Sequence, residues 1–437
     1  MRISKLNLPV YALLLTPLWW LLGFGFFIFH FAALYMALVK PACLRPRDAF
    51  QYTILILISV LILSLLLNSL SGDTDISRML AATNNASILG IGYIVYGFFL
   101  EMFRQDERYL DVVARNVGKV SLVSIVLGTS LLYFVLSGRI AELSFPTLIG
   151  AVTPPTDNLI GLYQRVHIIS TDWFDQNPTP RLTILSTNAT SSAALIAICG
   201  FISLGWFHRG SRFIRLAFVF LLMCTVAATL TRGAFFGLLA GLGIFMSMAL
   251  SNKSKTLLLP AIPLLLVAAV MFLPAAIERA NSARESSSST RFASYTASID
   301  VTMQGNPLFG LGIKPRSDDN FIPIGSHSTV LSTLVRGGLI GSSLAVIAFI
   351  VMPLAWFVKI GRRLLSSRQA GSRLHWFSVI AIAGVPSFIA FCLLQDIDAY
   401  APLSTFLFCF LAMLSYCAKR SSELAGNAPR SIDGSPA

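Results

Sequence analysis

Charge is what this chain has least of. Only 12% of its 437 residues are Asp, Glu, Lys or Arg, whereas 55% are hydrophobic and the mean hydropathy is +0.73. Soluble domains carry about a quarter charged residues, so lipid is the expected solvent. A helix needs roughly 20 apolar residues to cross a bilayer. The chain can cross many times, and no soluble domain of useful size is left over. Acidic residues are scarcer still, 20 against 33 basic ones, for a net charge of +13. In a membrane protein that balance points to cytoplasmic loops and anionic lipid headgroups. Nucleic acid is not an expected partner, because no basic run interleaves with exposed aromatics. Cys43, Cys199, Cys224, Cys392, Cys409 and Cys417 lie mostly in apolar runs and form no CxxC. Neither a disulfide framework nor a zinc site is therefore indicated. The five histidines, His30, His167, His208, His327 and His375, are scattered and suggest no metal site. No internal repeat is present. Arg2 and Lys5 precede an apolar run without a clear cleavage site, which reads as a retained first helix.

Apolar windows fall near 8–22, 24–39, 50–70, 86–103, 117–137, 185–206, 212–230, 234–251, 256–276, 329–358, 375–394 and 400–417. The expected fold is an all-α, polytopic integral membrane protein of about 12 transmembrane helices with two long external loops. Basic residues set its orientation. The loop 359–375 holds five Lys or Arg residues and 207–215 holds three arginines, while "NKSK" at 252–255, "KPACLRPR" at 40–47, the 104–119 loop and the "AKRSS" tail are also basic. All fall on one face if spans alternate, and that face is cytoplasmic. The organisation expected is N-terminal helices over 1–137, a periplasmic loop over 138–184 and central helices over 185–276. A second periplasmic loop follows over 277–328, with "ARESSSST" at 283–290 as a flexible polar patch. C-terminal helices then span 329–417, and 418–437 is a cytoplasmic tail, disordered from 421.

The outward face is nonetheless rich in cations: Arg139, Arg165, Arg181, Arg232, Arg279, Arg284, Arg291, Lys314 and Arg316. Arg232, in "TLTRGAFFG", occupies a tight turn between two apolar helices, where a charge needs a partner or a purpose. Its bland reading is an interfacial anchor. Arg181 just precedes a helix, and Arg291 opens an amphipathic stretch. Arginines converging on one pocket suit a pyrophosphate, because guanidinium presents paired donors to phosphate oxygens. In "GSHSTVLSTLVRGGLIG", residues 325–341, His327 stands where the loop becomes a helix. It reads either as a helix-start residue or as a base able to take a proton near neutral pH. Gly338 and Gly341 read as a close-packing step between helices. Arg336 lies about 13 Å down the helix from His327, and a buried carboxylate is its expected partner. Asp396 and Asp398, in "LLQDIDAYAPL", are available to pair with arginines, to orient His327 or to act as a base. Their spacing of two keeps them off one helical face.

Four of these stretches resemble motifs of the O-antigen ligase and polysaccharide polymerase superfamily, in the family's order. "HSTVLSTLVRGGLIG" resembles its pattern of His, then Asn, Ser or Gln, nine residues and G-x-x-G, here His327, Ser328, Gly338 and Gly341. "GNPLFGLGIKPR" (305–316) resembles its N-P-L-F-G-x-G segment, "TRGAFFGLLAGL" (231–242) its R-[GA]-x-x-x-[GA] helix start, and "RLTILSTNATSSAAL" (181–195) its arginine-led helix. The resemblance covers about half the chain. It implies a C-type membrane glycosyltransferase, inverting and metal-independent, with no cofactor. Such enzymes take a glycan from undecaprenyl pyrophosphate at the periplasmic face of the bacterial inner membrane. By likeness, His327 contacts or activates the acceptor, and Arg181, Arg232 and Arg291 hold the pyrophosphate. Ser328, Arg336, Asp396 and Asp398 are supporting candidates. Implied partners are the lipid-linked oligosaccharide, an acceptor glycan that is lipid-linked or on lipid A–core, membrane lipids and a chain-length regulator. Ser328 stands where many members have Asn, and the sequence around it looks closer to exopolysaccharide polymerases than to ligases. A ligase acting on lipid A–core or protein stays open. So does a lipid-linked sugar transporter, against which stand the charges gathered at one face and the lack of repeats.

Overall fold

A computed structural model describes residues 7–25, 27–70, 76–156, 161–171, 179–249, 285–315, 324–366 and 372–426. The apolar run 8–22 divides at Leu15 into α1 (Leu8–Leu14) and α2 (Thr16–Leu22). Pro17 supplies no N–H and favours a helix start there. Gly23 then turns left-handed at φ 82° and α3 (Phe27–Val39) follows, packing back on α1. Next come α4 (Ala49–Ser69), α5 (Ile76–Gln105) and α6 (Arg108–Ser137). After a segment of short strands and one short helix, α7 (Leu148–Val152), the chain forms α8 (Ala189–Leu204), α9 (Arg212–Ala228) and α10 (Arg232–Ala249). The later helices are α11 (Glu285–Gln304), α12 (Thr329–Val346), a π-helical stretch over Ile347–Val351, α13 (Met352–Ser366), α14 (Arg373–Leu394) and α15 (Ala401–Gly426).

Among the described residues, six helices are long and apolar enough to cross a membrane, and four more apolar helices are shorter. The described residues therefore do not confirm the expected count of about 12. The window 256–276 lies outside the described residues. The segment between α6 and α8 also departs from an all-α fold. It carries β1 (Leu143–Pro146), a short helix α7 (Leu148–Val152), β2 (Arg165–Thr171) and β3 (Pro180–Leu182) in an antiparallel sheet of order β1-β2-β3. Three further boundaries move. Residues 285–290, expected to be flexible, begin α11; α13 extends through the expected loop to Ser366; and α15 continues past Cys417 to Gly426. In α13 and α15 the extension adds polar residues to a helix already begun by apolar ones, because every further residue gains one backbone hydrogen bond.

The core is a helix wrapped by helices. The apolar window of α15 is wholly buried, and α5 and α14 are buried over most of theirs, whereas α4 and α6 keep lipid-facing residues such as Leu55, Leu66, Val126 and Leu136. Without a hydrophobic drive between helices in lipid, close approach depends on small residues. Gly233, Gly237 and Gly241 recur every four residues on α10 and face α14. A Cβ at Gly237 would sit 2.9 Å from Ser387 Cα, and one at Gly241 would strike the Ala383 carbonyl. At one end of the bundle basic residues meet their partners: Arg47 and Arg104 bind Glu101, and Arg373 Nε lies 2.8 Å from Asp111. The segments that join α6 to α8 and α11 to α12 collect at the other end. There Tyr163 stacks on Tyr400 with centroids 6.1 Å apart, and the Thr147 hydroxyl donates to the Tyr163 carbonyl at 2.8 Å.

Candidate functional site

Two loops and two helix starts meet around His327. Its carbonyl accepts from the Tyr295 hydroxyl of α11 at 3.0 Å, and the Gly325 amide donates to Ser298 Oγ, also on α11, at 2.8 Å. The α11 helix therefore clamps the segment that carries the histidine. His327 has φ 66°, a left-handed conformation in which His is several-fold enriched over most side chains. The next residue, Ser328, is the cap: its hydroxyl accepts from the Leu331 amide at 3.4 Å. The helix-start role thus falls to Ser328.

The short α14–α15 turn docks onto this helix start. Gln395 Oε1 lies 3.4 Å from His327 Nδ1. Thr329 Oγ1 donates to the Gln395 carbonyl at 2.8 Å and accepts from the Ile397 amide at 3.0 Å. Asp396 accepts from the Ser328 amide at 3.2 Å and pairs with Lys314. Burial pushes the Asp396 carboxyl above its ordinary range, against the opposing pull of the Lys314 ammonium. Asp398 pairs with Arg336, and both are 2% exposed. Arg336 also donates to the Ser332 carbonyl at 3.2 Å and to its hydroxyl at 2.9 Å. The two aspartates thus serve different cations.

Gly338 departs from the helix-packing expectation. With φ 62° and ψ −161° it interrupts α12, and the "NPLFGLG" segment fills the gap. Leu311 N donates to the Val335 carbonyl at 2.7 Å and Gly312 N to the Arg336 carbonyl at 3.1 Å. In return Leu339 N donates to the Pro307 carbonyl at 2.8 Å and Ile340 N to the Leu308 carbonyl at 3.3 Å. A Cβ on Gly310 would lie 2.5 Å from Gly338 N. A close-packing step between helices was the wrong reading of this glycine: it opens the helix so that a loop can bond to it.

The other cations sit on an adjoining part of the same end. Arg181, on β3 opposite Ser170, is 4% exposed. Its Nε donates to the Thr229 carbonyl and a terminal nitrogen to the Thr231 hydroxyl, both at 3.0 Å. Arg181 therefore braces the α9–α10 turn, where Leu230 is left-handed at φ 51° and from which Arg232 starts α10. Arg232 is half-buried at a helix N-terminus, where backbone N–H groups favour an anion. Its neighbour Gly233 packs against Leu394, the residue before Gln395. A continuous run of contacts thus joins Arg181, the Arg232 turn, Gln395 and His327. Arg291 lies one helical turn before Tyr295 on α11, but its side chain lies outside the description, as do Arg279, Arg284 and Arg316. Gln395, Tyr295 and Ser298 were not singled out from the sequence. Gln395 carried a usable signal, as the first of a polar run ending an apolar helix; the other two carried none.

Helices of this length and composition around a polar, loop-covered end define a multi-pass membrane protein. A family model described as O-antigen ligase matches residues 216–346, which supports the O-antigen ligase and polymerase superfamily that the motifs resemble. The match includes Arg232, Arg291, His327, Ser328 and Arg336, while Arg181, Asp396 and Asp398 fall outside it. No curated protein matches the chain.

Proposed function

We propose that the protein is a membrane glycosyltransferase that transfers a glycan from undecaprenyl pyrophosphate to an acceptor sugar, as an exopolysaccharide or O-antigen polymerase. The observation that carries this reading is an arginine-bearing helix start packed against Leu394, beside the Gln395 whose carboxamide oxygen faces His327 Nδ1. A proton on Nδ1, held toward Gln395, makes Nε2 the accepting atom. The acceptor hydroxyl gives its proton to Nε2 as its oxygen bonds to the anomeric carbon from the face opposite the leaving group. The bond from that carbon to the pyrophosphate oxygen breaks, and configuration inverts. The departing charge is neutralised by Arg232, with Arg291 and the nearby Arg181 adding positive potential, and no metal or cofactor enters the step. Fixed guanidinium groups cost no reorganisation at that moment. Arg336–Asp398 and Lys314–Asp396 hold the loops in register. The site faces the periplasm from the inner membrane, and a chain-length regulator is a natural partner.

The ligase reading is favoured by the O-antigen ligase family that matches the chain and makes lipid A–core or a protein the acceptor. Purified protein given lipid-linked repeat units separates the two. Lengthening of glycan on the lipid carrier supports the polymerase; transfer only onto added lipid A–core selects the ligase. Arg232→Ala should abolish either transfer while the protein still accumulates, and Arg232→Lys should recover little, because a point charge lacks the bidentate fork. Near-normal output from the Ala variant makes Arg232 an interfacial anchor.

A further inference from the structure

A cavity of about 330 Å³ opens at the basic end of the bundle, opposite the His327 end. Four helices line it. The start of α4 gives Asp48 and Phe50, preceded by Arg47; α5 gives Arg104; α13 gives Met352, Trp356 and Lys359; and α15 gives Ser415 and Lys419. Its four cations face two carboxylates. Asp48 is held inside by the Tyr96 hydroxyl at 2.7 Å and the Gln51 amide at 2.9 Å, and Glu101 binds Arg47 and Arg104 from behind. Lys359 and Lys419 are exposed at the mouth. The inner wall is apolar, with the Phe50 and Trp356 rings 5.6 Å apart. Exposed apolar residues also stand elsewhere on the same helices, Tyr52 and Leu55 on α4 and Leu354 and Val358 on α13.

We infer that this cavity holds the phosphodiester headgroup of an anionic phospholipid, with its acyl chains along α4 and α13. A pocket of net positive charge at a membrane surface is the chemistry that selects anionic headgroups. The apolar wall of Phe50, Met352 and Trp356 beside these cations favours a lipid over a soluble phosphate, which has no use for such a wall. The site is separate from the transfer chemistry, and the inference stands without the proposed function.

Native mass spectrometry of the full-length protein tests it, with phosphatidylglycerol and phosphatidylcholine of the same acyl chains as probes. Wild type should retain one phosphatidylglycerol in preference to phosphatidylcholine. Lys359→Ala with Lys419→Ala should weaken retention roughly 25-fold, about fivefold for each cation near the surface. Both side chains are exposed, so the thermal midpoint should not move. Lys359→Arg with Lys419→Arg keeps the charge and should keep the lipid. Equal retention of the two lipids, or full retention by the alanine pair, overturns the inference. Displacement of the lipid by equimolar inorganic phosphate assigns the cavity to a soluble anion and also overturns it.

Discussion

Gly338→Ala is the sharpest probe of how the site is assembled. At φ 62° and ψ −161° the backbone lies in a region open essentially to glycine alone. An added Cβ would press on the Leu308 carbonyl and lie 2.6 Å from Gly310 N. These are backbone atoms of a loop held by four hydrogen bonds, so they cannot swing aside as a side chain tip can. Two routes are open to the variant. It can keep the loop and bear the strain, about 1–3 kcal/mol for the backbone alone, or release the loop and lose four bonds worth about 1 kcal/mol each. The cheaper route still costs roughly 1–3 kcal/mol, an appreciable share of a typical 5–15 kcal/mol. At about 2 °C per kcal/mol for a long chain, the midpoint of thermal unfolding in detergent should fall by about 2–6 °C. Gly361→Ala is the matched control, because a Cβ there meets nothing within 4 Å. In a helix interior it should be neutral or stabilising by up to about 1 kcal/mol. Equal midpoints for wild type and Gly338→Ala would mean that α12 runs unbroken and that the loop does not bond to it.

Other outcomes follow from the same geometry. Arg336→Met alone strands a buried carboxylate and should cost about 3–5 kcal/mol, whereas Arg336→Met with Asp398→Leu should recover most of it; equal losses by chemical denaturation would show that the pair is not buried. Arg181→Ala removes two hydrogen bonds from the α9–α10 turn and should lower stability by about 2–3 kcal/mol, with weaker donor binding as a consequence. Unchanged stability with lost donor affinity would instead make Arg181 a direct pyrophosphate ligand. His327→Ala should lower turnover by about 10²-fold or more per folded molecule, the usual scale for an acid–base group, with donor affinity little changed. Normal specific activity would sink the role of base. Cysteines placed at 287 and 368 should be labelled from outside only at 287, and the reverse would invert the proposed orientation.

Composition and the spacing of apolar runs were enough to determine that the chain is a multi-pass helical membrane protein, because the hydrocarbon core demands long apolar helices whatever they pack against. Local chemistry likewise exposed Arg232 in its tight turn, His327 at a helix start and the need of Arg336 for a buried carboxylate, since a charge within an apolar run stands out without any knowledge of contacts. Partners across long separations stayed hidden. That Arg336 meets Asp398, that Lys314 meets Asp396 and that Gln395 faces His327 depends on how α12, α14 and the 305–315 loop dock. The glycines show the same division. On α10 their four-residue spacing is a local pattern and packs as such. Gly338 lies in an equally helical-looking sequence, yet it is left-handed because the carbonyls and amides freed by the break are satisfied by a loop some thirty residues earlier. Only the tertiary structure supplies that second set of hydrogen-bonding groups, and so only it decides where the helix opens.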